Sequence, residues 1–375
     1  MERDNPLRAE KKRKLAALRE KGLDPFPHNF KPTHKVAQVK AAHEGLATGE
    51  ATTGDVVMAG RLMTKRDMGK AAFFNFQDQS GALQGYVRVE ELDPKQQEFF
   101  NLVDLGDWVG LTGFIFKTKK GELSIHCKKF EIICKTIEPL PEKFHGVADI
   151  EIKYRHRHLD LITDEDSRQV FVTRSKIRRE IRSFLDQRGF LEVETPVLQP
   201  IYGGAAAHPF STHHRALDMK LFLKISPELY LKRLIVGGFE KVYEMGKNFR
   251  NEGIDRSHNP EFEMLEWYEA YTDYHDQMKQ FEELVCHVVQ SVRGTLKISY
   301  QGKEIDFSPP WKRLTVYEGI RQYAGFDPEK ISDQDLFNKV RELGGDIDKP
   351  GPRGKMLMQA FEVTVEKELW QPTFI

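Results

Sequence analysis

Two predicted strands, at residues 241–252 and 261–270, carry the side chains best suited to binding a nucleotide. Because alternate residues of a strand point to the same side, Arg250 and Glu252 share one face of the first strand. A guanidinium group clamps a carboxylate or a phosphate through two parallel hydrogen bonds, and a carboxylate accepts from an exocyclic amine. The first strand therefore predicts contacts to a phosphate and to a base.

The second strand adds an aromatic ring and a group that can hold a cation. Phe262, Glu266 and Tyr268 share a face, where the ring can stack on adenine and the carboxylate and phenol can bind an ammonium group. Arg256 and His258, in the loop between the strands, are candidates to bind a polyphosphate. The set predicts a cleft for a nucleotide and a positively charged amino acid. The alternative from chemistry alone is a salt-bridged surface hairpin, and no P-loop, GxGxxG or HExxH motif is present.

The order of residues around these strands resembles motif 2 of the class II aminoacyl-tRNA synthetases. The resemblance rests on FRNE at 249–252, a short loop, and HNPEF at 258–262. A helix followed by GFLEVETP, together 177–196, resembles motif 1, with Pro196 at its invariant position. The segments that resemble the lysine-specific members of the class are 5–27, 203–210 and 226–234.

The resemblance implies a role for each candidate residue. The catalytic residues would be Arg250 and Glu252. The residues that would bind ATP are Arg250, Glu252, His258, Asn259 and Phe262. The residues that would bind lysine are Gly204 and Glu228 at its α-amino group, Arg250 at its carboxylate, and Glu266 and Tyr268 at its ε-ammonium. Lysine fits this set because a buried ammonium group needs carboxylates around it.

The chain is expected to be an α+β protein, with an N-terminal OB-fold β-barrel followed by an incomplete class II synthetase catalytic domain built on an antiparallel sheet. Short strands with turn signals between 55 and 135, and a helical stretch near 94–103, are typical of a five-stranded OB-fold. The predicted divisions are a basic helical extension at 1–50, an anticodon-binding domain at 51–140, a linker at 141–165 and a catalytic domain at 166–375.

Four further elements follow from local pattern. A basic helix at 7–21 is expected to be either a solvated arm or an arm that contacts RNA phosphates. A long helix is predicted at 167–188 and a strand at 191–198, with Pro196 at an edge or bulge. Residues 226–236 predict a helix in which Ser226 is the N-cap and Pro227 the first residue.

The predicted barrel carries a candidate RNA-reading set. In the related enzymes an Arg, a Phe and a Gln on the first strands read the central anticodon base, and Arg66, Phe73 and Gln84 stand at the matching positions. Rings that stack and amides that bind base edges are the usual means of reading single-stranded RNA. The alternative is that Phe73 belongs to the barrel core, a role for which Phe74 and Phe76 compete.

Composition narrows the class of protein. Lys and Arg total 57, as do Asp and Glu, so an RNA-binding surface requires positive charge clustered locally. Three cysteines without a CxxC pair argue against a disulfide framework and a cysteine-based zinc site. The N-terminus has no apolar signal-peptide core, and no stretch approaches the roughly 18 apolar residues of a membrane span. A cytoplasmic protein is expected.

Motif 3, a Gly-x-Gly-x-x-Arg stretch whose Arg contacts the ATP γ-phosphate, does not occur, and Gly351-Pro352-Arg353-Gly354 is the wrong pattern. The resemblance implies Mg²⁺, with its acidic ligands expected beyond Ile375 and no metal site within this chain. The chain alone is therefore expected to activate lysine poorly or not at all.

The expected partners are tRNA(Lys), lysine and ATP, with a homodimer formed through motif 1 and no membrane. Three alternatives stay open. The first is a non-catalytic RNA-binding remnant, and the second is an aspartate or asparagine ligase. The third is a paralogue that lysylates a protein, although those relatives lack the barrel. The second conflicts with Glu228, because the aspartate and asparagine enzymes usually carry Gln there.

Overall fold

The computed structural model describes residues 5–140 and 149–375. The chain divides into two compact units, Met1–Ser167 and Arg168–Ile375. The first unit opens with α1 (Pro6–Glu20), which begins because the Asn5 side chain accepts a hydrogen bond from the Leu7 N–H at 2.9 Å.

One face of α1 is packed against the rest of the first unit. Leu15 and Leu18 are buried, and Leu18 joins the hydrophobic core of the barrel. The Lys11 ammonium donates to the Leu105 carbonyl at 2.7 Å. The expectation of a solvated arm is therefore wrong for this face, because tertiary contacts hold two leucines and the stem of a lysine out of water.

The barrel follows α2 (Val36–His43) and confirms the predicted OB-fold. Its five strands are β1 (Ala51–Asp67), β2 (Ala71–Asp78), β3 (Gly81–Arg88), β4 (Trp108–Lys117) and β5 (Leu123–Cys134). The helix α3 (Pro94–Leu102) lies between β3 and β4. The strands close in the order β1-β2-β3-β5-β4, and only β3 and β5 are parallel. The core between them includes Phe74, Phe76 and Phe130.

The predicted linker is partly helical. Its first residues, 141–148, lie outside the described part of the chain. From 149 on it forms α4 (Ile150–Arg155) and α5 (Arg157–Thr163). The Asp149 carboxylate caps α4 by accepting from the Glu151 N–H at 2.7 Å.

The second unit continues from α6 (Glu165–Gln187). Its elements are β6 (Leu191–Glu192), β7 (Leu198–Gln199), β8 (Ser211–His214), β9 (Met219–Leu223), α7 (Glu228–Val236), β10 (Lys241–Phe249), β11 (Glu261–Glu269), α8 (Tyr274–Arg293), β12 (Lys297–Tyr300), β13 (Lys303–Asp306), β14 (Lys312–Arg313), α9 (Val316–Gly319), α10 (Asp333–Glu342), α11 (Arg353–Thr364) and β15 (Thr373–Phe374).

Two small sheets position the candidate site. One has the order β11-β10-β6, with β10 and β11 antiparallel, and the other has the order β7-β9-β8. One face of the first sheet packs on α6 and α8 through a core that contains Phe184, Leu185, Tyr243 and Leu284. A separate hydrophobic core joins α9, α10 and α11.

The strand predicted at 191–198 is wrong in its middle. The chain pairs with β10 at Leu191 and Glu192, where the Val193 N–H also donates to the Tyr243 carbonyl at 2.9 Å, and it joins β9 at Leu198 and Gln199. Pro196 lies between the two short strands and has no N–H to donate, so the chain changes sheets there. Within the described residues, no helix is both long and apolar enough to cross a membrane.

Candidate active site and nucleic-acid interface

The β10–β11 hairpin presents one face of alternating side chains, called here the site face. Its register sets Glu244 opposite Glu266 and Asn248 opposite Phe262. Directly opposed residues of antiparallel strands point to the same side of the sheet. The site face therefore brings together Glu244, Asn248, Phe262, Glu266 and Tyr268.

The two proposed catalytic residues lie just past the end of β10, which ends at Phe249 and not at 252 as predicted. The Arg250 N–H still donates to the Pro260 carbonyl at 2.8 Å, so the hairpin geometry extends one residue further. The Arg250 guanidinium carbon lies 5.1 Å from the centre of the Phe262 ring. Arg250 and Phe262 are therefore together, whereas Glu252 is exposed in the loop.

The loop that carries His258 is ordered by a single carboxylate. Asp255 accepts from the N–H groups of Ser257 and His258, both at 2.7 Å. It also lies 2.7 Å from Nδ1 of His258, and this hydrogen bond lowers the pKa of Asp255. The loop therefore fixes the His258 ring by its Nδ1, while the side chain itself is exposed. Asn259 instead donates its side-chain N–H to the Glu261 carbonyl at 2.5 Å.

Glu266 is the centre of a cluster of polar side chains on the site face, called here the pocket. One of its carboxylate oxygens accepts from the Ser226 hydroxyl at 2.7 Å, and the other from the Tyr268 hydroxyl at 3.3 Å. Burial, together with the neighbouring Glu228 and Glu244 carboxylates, raises the pKa of Glu266 against these two hydrogen bonds. Burial also raises the pKa of Tyr268, and Glu266 adds to that shift.

Gly204 lies against the start of α7. Its φ is +86°, and a Cβ there would stand 2.7 Å from the Cβ of Glu228 and 2.9 Å from Oγ of Ser226. Only glycine fits this close approach. Because Ser226 also binds Glu266, the contact brings Gly204, Glu228 and Glu266 around one pocket.

Ser226 has a different place from the one predicted. The helix begins at Glu228, with Pro227 as the cap residue, so Ser226 is not the N-cap. Its Oγ instead accepts from the Glu228 N–H at 3.1 Å while it donates to Glu266. The hydroxyl therefore ties the helix start to the hairpin, a contact between residues 40 positions apart.

Two of the carboxylates around the pocket, Glu228 and Glu244, each form an ion pair with a lysine. The Lys232 ammonium lies 2.6 Å from Glu228, one helical turn away, with a relative side-chain exposure of 57%. The Lys224 ammonium pairs with Glu244, and both are almost fully buried. Sequence reasoning missed both pairs. The four-residue spacing of Glu228 and Lys232 was a signal for the first, and no local pattern signals the second.

The buried pair includes a third residue. Glu244 accepts from the Thr195 hydroxyl at 2.7 Å and from its N–H at 3.2 Å, and Lys224 donates to the same hydroxyl at 3.3 Å. The cluster of Thr195, Lys224 and Glu244 therefore fixes the chain just before Pro196 to the middle of β10.

The outer surface of the barrel carries a row of rings, called here the aromatic row. Register places Phe73 opposite Tyr86, Tyr86 opposite His126, and His126 opposite Phe114. Their ring centres are 4.9, 5.0 and 4.8 Å apart in that order. Arg66, on β1, stands opposite Phe73 at the end of the row.

A second, polar row runs beside the first. Register places Thr64 opposite Asn75, Asn75 opposite Gln84, and Gln84 opposite Ser124. All members of the two rows except Phe114 and Ser124 line a cavity of about 940 Å³, whose other lining residues include Arg88, Phe116, Lys119, Lys120 and Glu122. Stacking groups, amides and cations thus lie together, which is the chemistry of a single-stranded nucleic-acid site.

Phe73 is outside the barrel core. Phe74 is 2% exposed and Phe76 is fully buried, and both belong to the core, although Phe74 also lines the outer cavity. Phe73 is half-buried, lines the cavity and is not part of that core. The structure therefore brings Arg66, Phe73 and Gln84 to one surface. Across residues 5–140 and 149–375, no group of three or more His, Cys, Asp or Glu side chains is arranged to hold a metal ion.

Two protein families match the chain. Residues 149–375 match the family described as tRNA synthetases class II (D, K and N). Residues 56–133 match the OB-fold nucleic acid binding domain. The two matched stretches contain the site face and the aromatic and polar rows.

Three curated relatives of high similarity are each named lysine–tRNA ligase. The protein of Moorella thermoacetica is 47% identical over 376 residues, which cover 100% of this chain and 76% of the relative. That of Carboxydothermus hydrogenoformans is 49% identical over 363 residues, covering 96% and 73%. That of Syntrophomonas wolfei is 48% identical over 363 residues with the same coverage.

Proposed function

The chain belongs to the class II tRNA synthetases, among the lysine–tRNA ligases, and from this premise we propose that it joins lysine to tRNA(Lys) through a lysyl-adenylate in protein synthesis. One observation carries the choice of lysine. Of three carboxylates around the pocket, Glu228 and Glu244 have lysine partners, whereas among residues 5–140 and 149–375 Glu266 is bound by two hydroxyl groups and by no cation. A half-buried carboxylate without a cation is suited to receive one from the substrate.

In the first step, Glu266 and Tyr268 hold the ε-ammonium of lysine, and Glu228 with the Gly204 backbone holds the α-amino group. The lysine carboxylate then attacks the α-phosphorus of ATP. A carboxylate–phosphorus bond forms, the bond to the β-phosphate oxygen breaks, and pyrophosphate leaves. The substrate supplies the nucleophile, so the protein contributes positioning and charge neutralisation.

The nucleotide occupies the other end of the site face. Arg250 binds the lysine carboxylate and the α-phosphate together, which draws the reacting atoms into contact. The adenine ring stacks on the face of Phe262 that is opposite to the Arg250 guanidinium, whose central carbon lies 5.1 Å from the centre of the ring. Glu252 contacts the adenine side, and His258 and Asn259, at the hairpin loop, lie nearest the polyphosphate.

In the second step, a hydroxyl of the 3′-terminal ribose of the tRNA attacks the carbonyl carbon of the adenylate, and AMP leaves. The barrel selects the tRNA. Phe73 stacks on the central anticodon base, while Gln84 and Arg66 contact its edge and its phosphate. The aromatic and polar rows support this role because they set stacking groups beside hydrogen-bonding groups.

Three further features belong to the proposal. A homodimer forms through 177–196, where Leu191 is exposed, and Val197 and Leu198, which follow this segment directly, are exposed apolar side chains as well. The reaction takes place in the cytoplasm, a reducing compartment that suits three free cysteines. Mg²⁺ is expected for the family, but residues 5–140 and 149–375 offer no cluster of three or more His, Cys, Asp or Glu side chains to hold it.

Calorimetric binding of lysine tests the pocket. Replacing Glu266 with Gln removes the charge but keeps the shape, so lysine affinity should fall by about 30-fold or more. Glu283→Gln, a change to a partly exposed helix residue that pairs with Arg188 outside the pocket, is the matched control and should leave affinity unchanged. Equal lysine affinity in wild type and Glu266→Gln would show that this carboxylate does not receive the ε-ammonium.

A non-hydrolysable lysyl-adenylate analogue tests the nucleotide half. The analogue should raise the melting temperature of the chain much more than the aspartyl analogue does, and Arg250→Ala should abolish most of that difference. Stabilisation by the aspartyl analogue alone would instead indicate an acidic substrate. Lysine-dependent exchange of pyrophosphate into ATP then measures the reaction itself.

A further inference from the structure

A buried serine touches the amide that the proposed function assigns to base reading. Ser124 on β5 stands opposite Gln84 on the parallel strand β3. The serine is fully buried, and its Oγ lies 2.9 Å from Oε1 of Gln84. Gln84 lines the outer cavity, so one side of its amide faces Ser124 and the other can meet a ligand.

The hydroxyl of Ser124 has one proton and two acceptors within reach. The Glu122 carbonyl lies 3.3 Å from Oγ, and Oε1 of Gln84 lies 0.4 Å closer. The shorter contact is the stronger hydrogen bond, so the proton goes to Gln84. A glutamine amide has an acceptor at one end and two donors at the other, and binding the acceptor on one side turns the donors to the other.

We propose that Ser124 is a positioning residue that sets the direction of the Gln84 amide and thereby the base that the barrel prefers. The proposal rests on the proposed reading of the anticodon by the barrel. With Oε1 held by Ser124, Nε2 faces the cavity as a donor. A donor selects a base that presents a carbonyl at its edge, and between the pyrimidines it favours uracil, whose O4 is a carbonyl, over cytosine, whose N4 is an amine.

Neighbouring residues do not reverse this direction. Asn75, opposite Gln84 on the other side, is exposed and can turn either end of its own amide towards the ligand. Phe116, opposite Ser124 on β4, carries no polar side-chain atom. The serine hydroxyl is thus the fixed polar group that faces the amide from β5.

The test compares synthetic RNA hairpins that carry the anticodon loop and differ only in the central base, uracil or cytosine. The full 375-residue chain should bind the uracil hairpin about tenfold more tightly than the cytosine hairpin. In Ser124→Ala the amide is free to turn, so this ratio should fall to about threefold or less, mainly through tighter binding of cytosine. Ser124→Thr keeps the hydroxyl and should restore the ratio.

A second variant keeps the proposal testable if Ser124→Ala fails to fold. Gln84→Glu leaves Ser124 in place, and the hydroxyl should hold one carboxylate oxygen while the other faces the base as an acceptor. The preference should then shift towards cytosine, whose amine is a donor. Thermal melting by circular dichroism, equal to wild type, shows for each variant that the barrel is intact.

Two results overturn the proposal in distinguishable ways. If wild type prefers uracil and Ser124→Ala keeps the same ratio, or weakens both hairpins equally, the anticodon-reading role stands and the role of Ser124 is wrong. If wild type binds the two hairpins equally, the barrel does not read this base at all, and the proposed function of the barrel fails together with the role of Ser124.

Discussion

Removing the Lys224 ammonium should destabilise the second unit strongly. Lys224 is 2% exposed and Glu244 is 4% exposed, so Lys224→Met leaves a carboxylate buried without its cation. Breaking a buried ion pair by removing one partner costs about 3–5 kcal/mol in the free energy of unfolding. In a unit of this size that loss corresponds to a fall in melting temperature of roughly 10 °C.

The double variant Lys224→Met with Glu244→Gln separates the charge from the packing. The neutral amide oxygen can still accept from the Thr195 hydroxyl and N–H, which both donate to Glu244 in the wild type. What is left is a buried amide N–H without an acceptor, which costs about 1–3 kcal/mol. We therefore expect the double variant to be about 2 kcal/mol more stable than Lys224→Met alone.

Urea unfolding followed by tryptophan fluorescence measures these differences. Three of the four tryptophans, Trp267, Trp311 and Trp370, lie in the second unit, so the signal reports mainly on it. Lys297→Met is the matched control, because Lys297 is exposed and its ion pairs are on the surface, where they contribute no more than about 1 kcal/mol. A loss below about 1 kcal/mol in Lys224→Met, or a double variant less stable than the single one, would refute the reasoning.

Gly204→Ala should reduce lysine affinity by at least about tenfold in calorimetry, because its Cβ would stand 2.7 Å from the Cβ of Glu228 at a φ of +86°. Lysine affinity should also fall as the pH is lowered towards the raised pKa of Glu266, since burial raises that pKa and the protonated carboxyl no longer attracts an ammonium group. A profile unchanged in Glu266→Gln would contradict this. Phe73→Ala should weaken RNA hairpin binding by about 1–3 kcal/mol with unchanged melting. Phe74→Ala should instead lower the free energy of unfolding of the barrel by about 3–5 kcal/mol, so equal melting of the two variants would refute their assignment.

The alternation of residue types along the sequence predicted the β10–β11 hairpin, but not the contacts from Lys224 and Ser226 that hold it in place. Alternation along the chain is a local property, and it placed Phe262, Glu266 and Tyr268 on one face, as the register shows. Lys224 and Ser226 were not recognised as parts of the pocket, because their partners are 20 and 40 residues away in sequence. A single sequence gives no signal for such contacts.

The end of β10 was misplaced for the same reason. Periodicity alone continues the strand to 252, but the Asn251 N–H donates to the His208 carbonyl at 2.7 Å and turns the chain away after Arg250. The position of Phe73 was open because three phenylalanines compete within four residues. Barrel closure settles it, since Phe74 and Phe76 share the inner face and Phe73 is on the other.

The chemistry of the site depends on the register of β10 and β11, and both faces of the hairpin fix that register. A slip of one residue would turn Phe262 and Glu266 to the opposite face, because side chains alternate with a period of two. On the site face, Glu244 is held by Lys224 and Thr195. On the other face, Trp267 donates to Gln277 on α8 at 2.6 Å.

Glu263 adds a second hold on that other face, where its carboxylate pairs with Arg174 and Arg178 of α6. A slipped hairpin would therefore have to break a buried ion pair and surface ion pairs at once. It would also expose Leu265 and Trp267, which pack on the core beneath the sheet. Lys224 is buried and touches no proposed substrate, but it helps to keep Glu266 directed towards the lysine that is proposed to bind there.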